Sequence, residues 1–467
     1  MIRHSLAASA LLLAAIPAAA QSQQEALDAR YDRAVAAGYK ALMLCSAIAL
    51  AERNGTARTP ESVMQWELTG IQSPHNALIA DLPHAVVRRP SGQIAHVAVK
   101  WAEDSPARIA AYFGADTGCS TFPIGAPEDV SNPQAPLPLS EPQLAEQVEG
   151  VMPEGKAGKA LTLAVQRALA GDAYGTGART TAVVVQSDGM RVAQGYTPGF
   201  GASTPQRTWS VAKSIAATLV GAAVHAGEIS TDDPVGLNYW RAGGQSDPRN
   251  AITLDHALRM ATGRYSDTPG NRTDALYFGG STVDETAVDW PVLHPPGSVF
   301  RYANNDTLLA VKALGDWLTY YPPREFFAKL GMAHTVAETD IRGEYILSSQ
   351  VWSTADDLAR LGQLYLNDGV LPSGERVLPE GWVKYVTTPS GPQPPTGTFG
   401  YGAGFWLLNK EEGVPPDTFA AIGNRGQYVV IVPSRKVVIV RRGEDPAGSG
   451  FDIAAFTRDV LAALSEQ

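Results

Sequence analysis

Thr208-Trp209-Ser210-Val211-Ala212-Lys213-Ser214-Ile215 holds the one place in the chain where a serine is followed three residues later by a lysine. On a helix, positions i and i+3 share a face, so the Ser210 hydroxyl and the Lys213 amine can meet without help from distant chain. A hydroxyl needs such a partner, because alone it is a poor nucleophile. With this many serines and lysines, roughly one such spacing is expected by chance, and an N-capping serine beside a solvated lysine would produce it equally well. The surrounding sequence has to decide.

Burial is the first deciding feature. Residues 210 to 226 read as one helix, nearly apolar all round, closed by Gly227 where a left-handed C-cap needs glycine. A helix apolar on every side is enclosed. Lys213, in its second turn, then needs a partner or must give up its proton. A lysine titrates near 10.4 in water, so acting as a base near neutrality needs a depression of about 3 units, or about 4 kcal/mol. Desolvation and neighbouring positive charge supply such a shift. Ser210 near the helix start also has its backbone N–H among unpaired donors that can stabilise an oxyanion.

A third proton-handling group lies downstream. Tyr302-Ala303-Asn304 stands within Phe300-Arg301-Tyr302-Ala303-Asn304-Asn305-Asp306 and follows Pro295-Pro296-Gly297, so it begins on a loop. A rigid phenol near a lysine can relay a proton from serine to leaving group, and the Asn304 amide can hold a substrate carbonyl. Tyr365-Leu366-Asn367 has the same spacing. It ends a helical pattern just before Asp368-Gly369, a common helix stop, and is assigned to structure.

The chain opens with Arg3 and His4, an apolar run from Leu6 to Ile16, and Pro17-Ala18-Ala19-Ala20, the pattern of a secretory signal peptide over residues 1–20. The run is too short to span a bilayer and no cysteine lies near the cleavage site, so a stable membrane anchor is not expected and export is. The 37 basic residues become 36 once Arg3 leaves, against 47 acidic, a formal net charge of −11. Nucleic acid is therefore not an expected partner. Nothing predicts the oligomeric state.

Roughly 445 mature residues exceed what one core usually serves. Residues 21–125 read as a small α+β domain: a helix from Glu25 to about Glu52, then strands His84 to Arg88 and Gln93 to Lys100 joined by Pro90-Ser91-Gly92. It carries the only cysteines, Cys45 and Cys119, 74 positions apart. Two buried thiols would fit; an exported chain permits a disulfide, which on the disputed chain-entropy model stabilises by roughly 4 kcal/mol. Residues 126–150, rich in proline, read as a linker.

Residues 151–467 form the larger domain. Thr180 to Val185 and Arg191 to Gly195 make a hairpin about Ser187-Asp188-Gly189, and Thr418 to Ile422, Tyr428 to Val432 and Val437 to Arg441 are strands. Helices are expected over Ala157 to Leu169, Thr354 to Leu366 and Phe451 to Leu464, with short helices and loops from Thr231 to about Tyr345. Strands at both ends with helices between imply one sheet assembled from distant sequence and covered by helices, an α/β (α+β) arrangement.

Ser-x-x-Lys, then Tyr302 and Asn304 some 92 positions on, then a glycine-bearing strand near the C-terminus resembles the serine β-lactamase and penicillin-binding-protein superfamily. Within it the chain is most similar to 6-aminohexanoate-dimer hydrolases and class C β-lactamase-like esterases. Supporting stretches are Gly199-Phe200 through Lys213, Thr253 to Gly263, Leu361 to Gly369 and Gly423-Asn424-Arg425-Gly426-Gln427. The segments at Leu44-Cys45-Ser46 and Gly118-Cys119 resemble the N-terminal extension of that subgroup. The resemblance implies a β-lactamase-like antiparallel sheet flanked by helices, with a helical subdomain, and a serine hydrolase acting on a small-molecule amide or ester. It implies Ser210 as acylated nucleophile, Lys213 as base, Tyr302 as proton shuttle and Asn304 as a contact to the substrate. No metal or organic cofactor is expected.

The C-terminal motif departs from the family. Relatives carry Lys-Thr/Ser-Gly or His-x-Gly there, and the matching triplet is read here as Asn424-Arg425-Gly426. Loss of the lysine removes the usual partner of a β-lactam carboxylate. Gly426 would let substrate lie along the strand, the Gln427 N–H would be the second oxyanion donor, and Arg425 would either bind an acidic substrate group or sit solvated at the edge. No Gly-x-Ser-x-Gly elbow occurs, which argues against an α/β-hydrolase.

Overall fold

A computed structural model describes residues 5–128, 155–241, 247–266, 273–287 and 290–465. Of the predicted linker, residues 129–150 lie outside these. The strands, in chain order, are β1 (His84–Arg88), β2 (Ile94–Val99), β3 (Arg108–Gly114), β4 (Gly118–Thr121), β5 (Thr180–Ser187), β6 (Met190–Tyr196), β7 (Gln206–Arg207), β8 (Val336–Ala337), β9 (Val351–Ser353), β10 (Gly400–Tyr401), β11 (Trp406–Leu407), β12 (Phe419–Gly423), β13 (Gln427–Val432) and β14 (Val437–Gly443). The principal helices are α1 (Ser5–Arg53), α2 (Gly155–Leu169), α3 (Val211–His225), α4 (Asn304–Lys312), α5 (Ala355–Leu366) and α6 (Ile453–Leu464).

One antiparallel sheet of order β10-β11-β12-β13-β14-β5-β6 forms the centre of the larger part. Its inner strands read as unbroken apolar runs because both faces are covered, and alternation sends neighbouring residues into different cores. Val183, Val185, Val430, Val432 and Ile439 pack beneath α2 and α6 with Leu161, Val165, Phe456 and Val460. Val184, Val429, Ile431, Val438 and Val440 face α3 and α5 with Val211, Ile215, Leu358 and Leu361. The β5–β6 turn needs left-handed backbone at Asp188 and Gly189, as its sequence predicts. Gly362 lets α5 sit close to the sheet, since a Cβ there would lie 2.5 Å from Val438 Cγ1. The expected layered α/β architecture is the one observed.

The N-terminal part adds strands that the sequence reading did not anticipate. Besides the β1–β2 hairpin it contains β3 and β4, giving a four-stranded antiparallel sheet of order β1-β2-β3-β4. Arg108 begins β3 with its guanidinium buried on the carbonyls of Phe278 and Gly279, so a charged residue masks the strand's apolar character. From Ala34 to Ala51 α1 is buried almost throughout, and it begins at Ser5 rather than near Glu25. Cys45 on α1 and Cys119 on β4 form a disulfide. Residues of this unit, among them Tyr39, Leu42 and Trp101, share one core with Trp209, Trp240, Leu276, Leu309 and Trp352 of the larger part. Gly38 permits that junction: a Cβ there would lie 2.0 Å from the Phe278 carbonyl oxygen.

Replacing both cysteines, Cys45→Ser with Cys119→Ser, is expected to lower the thermal midpoint in non-reducing buffer and to abolish any further drop when reductant is added. The chain-entropy argument puts the loss at roughly 4 kcal/mol. Equal midpoints for variant and wild type in calorimetry would show that the shared core holds without the crosslink.

Candidate active site

α3 begins at Ser210, its N-cap, directly after Trp209 in left-handed backbone at φ 51°. A bulky residue in that region is strained, and the surroundings must hold it. Trp209 is buried against Tyr39 of α1, with the Arg207 guanidinium stacked 3.8 Å from its ring centroid. β7, which carries Arg207, pairs with β9 and delivers the chain to this turn.

Ser210 and Lys213 do meet. Lys213 Nζ lies 3.0 Å from Ser210 Oγ, 2.6 Å from Asn304 Oδ1 and 2.9 Å from the Ser348 carbonyl oxygen. As an ammonium the amine donates to all three. As a neutral amine it donates to the two carbonyl oxygens and accepts from the Ser210 hydroxyl, which is the arrangement a base requires. Lys213 is 2 % exposed, and burial together with the nearby positive charge of Arg207 brings its pKa down to about 7. The depression anticipated from an enclosed helix is present.

Tyr302 is presented by extended backbone just before α4. Arg301 N–H donates to the Met260 carbonyl and Ala303 N–H to Met260 Sδ, which pin the segment from both sides of the tyrosine. Its ring lies 5.1 Å from Lys213 Nζ, and its hydroxyl interacts with Ser210 and Trp406. Burial pushes the phenol well above its ordinary value. Of the two groups beside Ser210, the lysine titrates near neutrality and the tyrosine keeps its proton. Tyr401 and Trp406 stand edge-on and tilted against Tyr302, with ring centroids at 6.1 and 5.4 Å, and make an aromatic wall.

Asn304 lies in the same cluster: its Oδ1 accepts from Lys213 and its Nδ2 donates to Thr273 Oγ1 at 3.2 Å, so the amide oxygen helps to orient the lysine. The duplicate spacing at Tyr365 is structural: its hydroxyl bonds to Thr218 Oγ1 at 2.8 Å in the core between α3 and α5.

The reading of the C-terminal triplet is corrected by three residues. Asn424, Arg425 and Gly426 form the turn between β12 and β13, and the glycine beside the nucleophile is Gly423, at the end of β12. A Cβ on Gly423 would lie 2.4 Å from the Thr208 carbonyl oxygen and 3.1 Å from Ser210 N. Gly426 instead approaches the buried pair Arg441–Asp445, where a Cβ would lie 1.7 Å from Arg441 Nη1. Gln427 pairs with Gly423 in the ladder, and its side chain is fully buried, accepting from Arg442 Nε at 2.6 Å. The strand glycine beside the nucleophile is therefore the last residue of Ala421-Ile422-Gly423, and the signal that could have found it was the end of the apolar run at Ile422.

Arg425 is also corrected. It is 6 % exposed, ion-paired with Glu444 at 2.7 Å, and donates through Nη2 to the carbonyls of Trp66 and Thr69 at 2.8 and 2.9 Å. Neither a cleft ligand nor a solvated edge residue, it fastens the N-terminal part to the sheet. Ser348 and Arg207 were missed as site residues; the first contributes only a carbonyl, which no side-chain motif records.

A sequence profile of the beta-lactamase family matches residues 165–462. The chain belongs to the beta-lactamase family. The match spans Ser210, Lys213, Tyr302 and Gly423 and leaves out α1 and the four-stranded sheet. The 6-aminohexanoate-dimer hydrolase of Paenarthrobacter ureafaciens is 27% identical over 298 residues, covering 57% of this chain and 73% of that protein. A Bacillus anthracis protein assigned as a 6-aminohexanoate-dimer hydrolase superposes with a TM-score of 0.54 at 20% identity, covering 70% of this chain and 88% of its own. A Bacteroides dorei DSM 17855 protein assigned as a beta-lactamase gives 0.51 at 20% identity, covering 63% and 95%. These structural likenesses speak for the β-lactamase-like fold.

Gly423→Val is expected to reduce acylation by an activated ester at least tenfold, because its side chain must displace backbone at Thr208 and Ser210. A variant that folds by circular dichroism and keeps the wild-type rate would remove Gly423 from the site.

Proposed function

We propose that this family member is an exported serine hydrolase that cleaves an amide or ester bond of a small molecule through an acyl-enzyme on Ser210. One observation carries the reading: a lysine amine buried to 2 % exposure, with no ion-pair partner among the described residues, sits 3.0 Å from the hydroxyl of the only Ser-x-x-Lys serine. The relative from Paenarthrobacter ureafaciens is a hydrolase of 6-aminohexanoate dimer, which supports a hydrolytic activity. The apolar N-terminal residues and the Cys45–Cys119 disulfide support export.

In this mechanism Lys213 takes the Ser210 proton as the oxygen attacks the substrate carbonyl. Negative charge then develops on the carbonyl oxygen, between the Ser210 N–H at the start of α3 and the strand backbone at Gly423. Tyr302, still protonated, gives its proton to the leaving amine or alcohol and recovers the one that Lys213 took from Ser210. Water enters by the reverse relay, breaks the acyl bond and restores the serine. The acid product keeps the substrate's carbonyl oxygen and takes its second oxygen from water, and the leaving group departs with one proton, so the cycle consumes one water. β-Lactam turnover is the weaker variant of this chemistry, since Ala421-Ile422-Gly423 provides no cation for a β-lactam carboxylate.

Ser210→Ala should abolish both turnover of an activated ester and labelling by a fluorophosphonate at residue 210, while leaving the fold intact. Undiminished hydrolysis by that variant would falsify the nucleophile assignment. The wild-type rate should fall tenfold per pH unit well below about pH 7, where Lys213 gains a proton, and a profile flat from pH 5 to 8 would contradict lysine as the base.

A further inference from the structure

Arg207 lies three residues before the nucleophile, is 1 % exposed, and has no carboxylate ion pair among the described residues. Its Nη2 donates to Ser349 Oγ at 2.8 Å, while Nε and Nη1 are buried without a hydrogen-bond partner. The rest of its surroundings is aromatic: Trp209, Tyr277 and Phe278 ring centroids lie 3.8, 5.4 and 5.3 Å from the guanidinium carbon. Such a cation is costly to bury, because aromatic faces and one hydroxyl replace only part of its hydration. A stability role alone would be served better by an apolar residue or by a paired arginine, as at Arg425 and Arg441.

We propose that Arg207 is a positioning residue that acts through Lys213: its charge repels a proton on the lysine amine, and its bond to Ser349 places the adjoining Ser348 carbonyl that orients that amine. The proposal rests on the serine–lysine reading above and goes beyond it. The connection is short. Arg207 holds Ser349, Tyr277 holds Ser348 through a 2.7 Å hydroxyl contact, and the Ser348 carbonyl accepts from Lys213 Nζ at 2.9 Å. Arg207 thus touches the segment that touches the base, without reaching the reacting atoms.

Every charged or titratable group facing this pair bears on the argument. Tyr39 approaches Arg207 from α1, Tyr277 from the helix Asp274–Tyr277, Glu338 from beyond β8, and Glu444 from beyond β14. Glu444 is engaged by Arg425, and Glu338 is bonded to Ser46 Oγ, Cys119 N and Trp352 Nε1, with burial pushing its pKa up to about 7. Burial pushes the Tyr39 phenol up to about 12, so it is neutral at the working pH, and the Tyr277 hydroxyl is engaged with Ser348 Oγ. Lys213 itself faces Ser210, Asn304 and Tyr302, all uncharged there, so Arg207 is the nearby charge that lowers its proton affinity.

The test compares wild-type, Arg207→Gln, Arg207→Lys and Ser349→Ala full-length proteins by the pH dependence of kcat/KM for an activated ester between pH 5 and 9. Removing the positive charge makes the Lys213 amine easier to protonate, so the acid limb of R207Q should move up by about one pH unit, a rate loss of about tenfold at pH 6. R207K, which keeps the charge, should return the limb to within half a unit of wild type. S349A keeps the charge and loses the bond to Arg207; it should lower the rate at every pH with the limb unmoved. A uniformly slower R207Q with an unshifted limb overturns the electrostatic half, and a wild-type rate in S349A overturns the orienting half. If R207Q does not fold, R207K decides: a limb displaced by a full unit despite the retained charge refutes the proposal. Ser210→Ala measured alongside separates the two levels, since hydrolysis independent of Ser210 would refute the acyl-enzyme itself whatever Arg207 does.

Discussion

A lysine amine enclosed beside a serine, with carbonyl oxygens and a neighbouring cation around it but no carboxylate bonded to it among the described residues, is the constraint on which the site depends. In water such an amine would hold its proton up to about pH 10 and be useless as a base. Burial removes the hydration that favours the charged form, and Arg207 removes more. The fold provides this through an apolar α3 packed between the sheet and the helices that cover it, so the enclosure follows from ordinary core formation. What remains to be specific is small: two carbonyl oxygens to orient the amine, and a tyrosine held near the serine to carry the proton onward.

The N-terminal helix and four-stranded sheet belong to this enclosure. α1 places Tyr39 against Trp209, the strained residue before Ser210, and Arg425 reaches from the β12–β13 turn to backbone carbonyls of Trp66 and Thr69. Glu338 ties Ser46 and Cys119, one residue from and one within the disulfide, to Trp352 on β9, the strand that pairs with Arg207. A segment outside the family profile therefore backs the turn that aims the nucleophile. Its removal is expected to disturb the site through Trp209 and Arg207 rather than through lost contact with substrate.

The sequence showed most clearly what local pattern encodes. The enclosed helix, its Gly227 stop, the Asp188-Gly189 hairpin and the pairing of serine with lysine all depend on residues close together in the chain. Less was legible where a side chain's surroundings come from afar. Arg425 is charged and flanked by turn residues, which is also how a cleft residue looks, and only the return of Glu444 and the N-terminal carbonyls shows it to be a clamp. β3 was obscured by Arg108, whose charge is absorbed by carbonyls some 170 residues away. The triplet was misplaced because two glycines, Gly423 and Gly426, bracket one turn, and only the packing of Thr208 and Ser210 against the first tells them apart.

The central claim is that Lys213 is neutral near physiological pH while bonded to Ser210. Its proton affinity can be measured directly by NMR on protein carrying carbon-13 at the lysine side chains, with the Lys213 signal identified by its disappearance in Lys213→Arg. The account predicts a titration midpoint near pH 7, about three units below that of a lysine in water. A midpoint near 10 would contradict it, because a lysine still protonated at neutral pH cannot take the proton from Ser210.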